Sequence, residues 1–162
     1  MEDQRSTSFF RFEDLRVYHK ALEYYGWLIN QVKNADEFAS KTLLTPLLDT
    51  AAKIAINIAE GSSNHNKATF VEYLKAAKAQ VRQCVVFTTM AQQNGLFDQQ
   101  QAEFSRNILI EMTKMVGAMV FSLQKPSNRE DRNLKTNNTD KEQSFNSDIK
   151  QDDIASEFDF SY

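Results

Sequence analysis

Cysteine, proline and glycine are scarce in this sequence: one Cys, two Pro and four Gly in 162 residues. A single thiol, Cys84, excludes an intramolecular disulfide, and its setting in AQVRQCVVF, among apolar neighbours, fits a small buried side chain. So little Gly and Pro argues against an all-β domain, which needs many turns, and no Gly-rich loop of the phosphate-binding type is present. No run approaches the roughly 18 apolar residues of a membrane span. The N-terminus, MEDQRSTSFFRFED, lacks the basic flank and apolar segment of a secretory signal. The expectation is a cytoplasmic protein without a membrane partner. Two histidines, His19 and His65, fall in different segments with no carboxylate at metal-ligand spacing, so neither a metal nor another cofactor is expected.

What is present is apolar content in long uninterrupted stretches. Hydrophobic residues make up 41% of the chain, enough for one domain with a real core. Charge divides the chain unevenly: residues 1–125 carry a net +1 and residues 126–162 a net −4. The second stretch, PSNREDRNLKTNNTDKEQSFNSDIKQDD onward, lacks helical periodicity and cannot bury enough apolar surface to offset the entropy of ordering. The expected organisation is therefore a flexible N-terminus over 1–11, a folded domain over 12–125 and an acidic disordered tail over 126–162.

Counting periods gives four helices in the domain. Leu15, Tyr18, Leu22, Tyr25, Ile29 and Val32 alternate steps of three and four, one stripe of a first helix. Asn34 with Glu37 has the form of a capping box, and Leu44, Leu47, Leu48, Ala51, Ala55 and Ile58 follow before Gly61, where the second helix is expected to stop. Pro46 should kink that helix or restart it with Thr45 as cap. Asn66 can cap a third helix with the stripe Phe70, Leu74, Ala77, Val81, Cys84 and Thr88, ending at Asn94 and Gly95. Asp98 with Gln101 opens a fourth through Leu109, Met112, Met115, Met119 and Leu123. Short connections make neighbours antiparallel, so the predicted fold is all-α, an up-down-up-down four-helix bundle.

FEDLRVYHKA, Phe12 to Ala21, then NIAEG, Asn57 to Gly61, then Phe70, Tyr73, Leu74 and Ala77 resemble the bacterial four-helix-bundle proteins called 23S rRNA intervening-sequence proteins. The resemblance spans about residues 10 to 125. Members with known structures resemble open-ended rings of five subunits, so the resemblance implies a small cytoplasmic protein that assembles as a homo-oligomer, a pentamer. A related branch serves as the accessory protein of retroelement reverse transcriptases and binds nucleic acid. No catalytic activity is established for the family. Leu48, Asp49 and Ala55 stand where the family usually carries paired arginines and a proline, and Gln83 and Val85 where it usually has acidic residues.

The segment NIAEGSSNHN gathers polar groups, and catalysis there would need Glu60 as a general base beside Ser62, Ser63 or His65. The better reading is a structural corner. Asn57 and Glu60 share a face of the last helical turn, Glu60 reaches backbone donors of the next helix, and Gly61 supplies the left-handed corner, so Asn57, Glu60 and Gly61, with Phe70 and Tyr73 of the next helix, are expected to be structural motif residues. No catalytic residue is expected, and the protein is expected not to be an enzyme.

Two surface features carry the functional expectation. Lys67, Lys75, Lys78 and Arg82 fall within roughly an 80° arc of the third helix, about 100° from its apolar stripe, a basic flank suited to RNA phosphates. In DIASEFDFSY, Phe158, Phe160 and Tyr162 alternate with polar residues, so three rings can face one way on an extended peptide and dock on a protein partner or another subunit. The expected function is a non-enzymatic oligomeric scaffold or adaptor associated with RNA or a nucleoprotein. The alternative is a protein-only adaptor that recruits its partner through the terminal aromatic peptide.

Overall fold

The computed structural model describes residues 9–125. In chain order, a 3-10 turn over Arg11–Asp14 precedes α1 (Arg16–Asn34). The one-turn α2 (Glu37–Ala39) runs through a π-helical turn, Ser40–Leu44, into α3 (Thr45–Ser63), followed by α4 (Lys67–Gln93) and α5 (Gln99–Gln124). The four long helices form an all-α bundle. Across α1 and α5, residues 20, 24 and 31 meet 111, 105 and 101, and across α4 and α5, residues 88 and 92 meet 105 and 99. Both pairs of helices therefore run antiparallel, consistent with the up-down-up-down order.

Local chemistry explains the helix ends. Asn66 Oδ1 accepts from the Ala68 amide and opens α4. That helix closes at Gly95, whose φ of +71° sets the left-handed step, with Leu96 N–H bonded to the Ala91 carbonyl and Gly95 N–H to that of Gln92. Asp98 and Gln101 form a reciprocal capping box at α5: Gln101 N–H donates to Asp98 Oδ1 at 2.7 Å and Asp98 N–H to Gln101 Oε1 at 2.8 Å. The expected box of Asn34 and Glu37 does not form. Asn34 is the last residue of α1, Ala35 and Asp36 are extended, and Asp36 Oδ1 accepts from Ala39 N–H at 2.9 Å. A cap needs extended backbone at its own position, and Asp36 meets that condition. At Pro46 the chain neither breaks nor takes Thr45 as a cap. Thr45 is already helical, and its N–H reaches back to the Ser40 carbonyl across the π turn. The widened turn prepares the place where proline lacks its own donor.

The core is formed by one face of each long helix. From α1 come Val17, Ala21, Tyr24 and Leu28, from α3 Leu47, Ala51, Ile54 and Ile58, from α4 Leu74, Ala77, Val81 and Cys84, and from α5 Leu109, Met112 and Val116. The α1 set corrects the expected stripe. Leu15, Tyr18, Leu22, Tyr25, Ile29 and Val32 lie about 100° round the helix from the buried four, and Leu22 remains 44% exposed. Helix α1 is apolar over more than one stripe, and periodicity does not say which one faces inward. Burial of Tyr24 decides it, because its hydroxyl finds Ser105 Oγ at 2.9 Å.

Candidate functional site

The corner between α3 and α4 is tighter than expected and built differently. Helix α3 runs past Gly61 to Ser63, so Gly61 is helical and buried and makes no left-handed turn. Its role is close approach. A Cβ there would lie 2.7 Å from both Phe70 Cδ2 and Tyr73 Cβ, so the absent side chain is what lets the first turns of α4 seat against the end of α3. Phe70 is accordingly packed against the core.

The polar groups of this corner serve their own backbone. Asn57 Nδ2 donates to the Lys53 carbonyl at 2.8 Å. The Glu60 carbonyl accepts from Ser63 Oγ at 2.8 Å and Asn64 Nδ2 at 3.1 Å, and Ser62 Oγ donates to the Ala59 carbonyl. The Glu60 carboxylate is exposed and reaches no donor of α4 among the described residues, contrary to expectation. Asn57 and Glu60 thus share a helix turn without a joint contact. No serine or histidine here meets a carboxylate at hydrogen-bond distance among the described residues. Among the described residues no group of three or more His, Cys, Asp and Glu side chains could hold a metal ion, and no helix is long and apolar enough to cross a membrane.

Two surfaces stand out. The first is an apolar groove between α1 and α3, about 300 Å³ in volume, bordered by Phe12, Tyr18, Leu22, Tyr25, Ile56 and the alanines at 52, 55 and 59. Small residues on α3 make its floor, while rings from α1 and the preceding turn make its wall. Leu22 and Ile56 are 44% and 56% exposed. A row of rings leads up to it: Phe9 meets Phe10 edge-on, Phe10 stacks on Phe12, and Phe12 meets Tyr18 at 5.0 Å between centroids. Trp27 lies on the other flank of α1, held between Tyr24, Phe97 and Phe104.

The second surface is the basic arc of α4. Lys67, Lys75 and Arg82 are exposed and Lys78 is half-buried. Lys75 Nζ pairs with Glu72 at 2.9 Å, an exposed pair of the kind worth about 0–1 kcal/mol and easily exchanged for another anion. Sequence reasoning found this arc but missed the helix beside it. Arg106 Nη2 of α5 donates to Thr89 Oγ1 at 2.7 Å, and Thr89 belongs to the same arc of α4. The missed signal was the spacing of Arg106, Ile110, Thr113, Gly117 and Phe121, again a single stripe by steps of three and four. Phe158, Phe160 and Tyr162 lie outside the described residues.

The class that this fold defines is the antiparallel four-helix bundle with short connections. Within it the chain belongs to the 23S rRNA-intervening sequence protein family, whose pattern it matches over residues 13–118. Among solved structures it is similar to a protein of unknown function from the S23 ribosomal protein family of Bacteroides thetaiotaomicron VPI-5482, with a TM-score of 0.60 and 20% sequence identity. That similarity covers 64% of this chain and 97% of the other. It concerns the fold alone. A comparison with curated proteins gives no match.

Proposed function

We propose that this chain is a non-enzymatic, cytoplasmic homo-oligomeric scaffold that joins copies of itself through the α1/α3 groove and engages RNA, or a nucleoprotein, through the basic arc of α4. The observation that carries the scaffold reading is the groove itself. It leaves large apolar side chains, Leu22 and Ile56 among them, exposed beside a row of aromatic rings, and a monomer gains nothing from such a surface. Five subunits is the number that the family resemblance implies. In a ring, each copy would repeat the arc of Lys67, Lys75, Lys78 and Arg82, so weak contacts to one phosphate backbone would add through avidity.

Light scattering at micromolar concentration, combined with RNA anisotropy across a salt series, tests both halves. The expected result is an oligomer whose RNA affinity falls steeply with salt. A monomer would sink the scaffold reading. An oligomer that binds no RNA at low salt would leave the protein-only adaptor.

A further inference from the structure

The basic arc of α4 is one wall of a longer feature. Winding α4 at 3.6 residues per turn places Thr89 in the same arc of roughly 80° as Lys75, Lys78 and Arg82, and winding α5 places Arg106, Ile110, Gly117 and Phe121 in a similar arc. The hydrogen bond from Arg106 to Thr89 joins the two arcs, so they face each other across the α4/α5 seam. Because these helices run antiparallel, counting away from that bond sets Gly117 about level with Lys78 and Phe121 about level with Lys75.

The α5 wall has the properties of a stacking platform. Phe121 is 61% exposed. Lys125 Nζ sits 4.5 Å from its ring centroid, covering one side with a cation. One turn earlier Gly117 leaves open space: a Cβ built there meets no atom within 4 Å. Ile110, 50% exposed, continues the apolar line. Cations flanking an exposed ring beside an open step in a helix suit a strand whose bases are free to stack while its phosphates follow the lysines. A duplex hides its base faces and could use the cations alone.

We infer that the α4/α5 seam binds single-stranded nucleic acid, with Phe121 stacking a base in the space left by Gly117 while Lys75 and Arg82 hold the flanking phosphates. This rests on the RNA reading above and narrows it to unpaired strands.

The test uses the full chain and two labelled probes, a 12-nucleotide oligoadenylate and an RNA duplex of equal length, followed by anisotropy at low salt. Phe121→Ala should weaken binding of the single strand at least about 5-fold, the low end of a lost stacking contact, and leave the duplex unchanged. Gly117→Leu should do the same by filling the space, and circular dichroism should confirm that both variants keep the wild-type helical signal. The triple variant Lys75→Glu, Lys78→Glu, Arg82→Glu should weaken both probes. If the triple variant weakens both while Phe121→Ala and Gly117→Leu leave the single strand unaffected, the stacking seam is wrong and the wider RNA reading survives. Tighter binding of the duplex than of the single strand would also overturn the seam. No binding of either probe by the wild-type chain would remove both readings together.

Discussion

Tyr24 on α1 and Ser105 on α5 meet hydroxyl to hydroxyl at 2.9 Å inside the core of the bundle, 81 positions apart in sequence. Ser105 continues to Thr88 Oγ1 on α4 at 2.7 Å, and Thr88 donates back to the Cys84 carbonyl at 2.9 Å. Three helices are thereby held in one register by three side chains. Buried polar groups are costly unless satisfied, so any sliding of α5 against α1 or α4 would leave hydroxyls without partners.

Removing members of this network should cost unequal amounts. Tyr24→Phe leaves Ser105 bonded to Thr88 and should lose about 1 kcal/mol. Ser105→Ala removes the hydroxyl that bridges Tyr24 and Thr88 in the core and should lose about 1–3 kcal/mol. The double variant should cost less than the sum of the two. Urea unfolding of all four proteins measures the cycle, and strict additivity would show that the two hydroxyls act independently.

Stability should fall on the alkaline side. Burial pushes the Cys84 thiol from an ordinary value of 9.0 up to about 12. Burial, and then the neighbouring Cys84, likewise push the Tyr24 phenol upward. Both groups keep their protons in the folded state after the unfolded chain has released them, so their contribution is whole below pH 9 and is lost as pH rises toward 12. Each buried acid then contributes a slope of about 1.4 kcal/mol per pH unit at most. Urea midpoints measured at pH 8 and pH 10.5 should show the loss, and Cys84→Ala should reduce the slope without abolishing it. An identical slope in that variant would exclude the thiol as a source.

Gly61 and Gly117 both lie inside helices, yet alanine should have opposite effects at the two. At Gly61 the new methyl meets Phe70 and Tyr73 at 2.7 Å, and the Tyr73 contact is to Cβ, which cannot swing aside. The helices must part, and a loss of about 1–3 kcal/mol is expected. At Gly117 nothing lies within 4 Å, and the gain from removing a helix-interior glycine should be about 0.5–1 kcal/mol. Thermal melts of the two single variants should move in opposite directions.

The same pair marks what the sequence could convey. Helix number, the caps at Asn66 and Asp98 and the end at Gly95 depend on neighbouring residues, and all were legible. Gly61 looked like a helix stop because a glycine after an apolar run ordinarily is one. Its actual cause is two side chains nine and twelve positions later, which no local pattern reveals. The α1 stripe was missed for a related reason: Tyr18, Leu22 and Tyr25 have the right period, but the choice between their face and that of Val17, Ala21 and Tyr24 depends on Ser105, far along the chain. For the candidate site, the lysines of α4 were legible as an arc. The facing wall required the bond between Arg106 and Thr89.

Charge placed in the α1/α3 groove should separate assembly from folding. Leu22 and Ile56 are exposed in the isolated bundle, and substitutions at such positions usually change stability by about 0.5 kcal/mol or less. Leu22→Glu with Ile56→Glu should therefore leave the helical signal and the urea midpoint of a dilute sample nearly unchanged. In an assembly closed through this groove, however, both carboxylates would be forced out of water against Phe12, Tyr18 and Tyr25, which border it. A buried charge without a partner is far costlier than an exposed one. Light scattering should then report the mass of one chain where the wild type reports several. If the double variant still assembles, the copies meet elsewhere, and the exposed groove serves some other purpose than joining them.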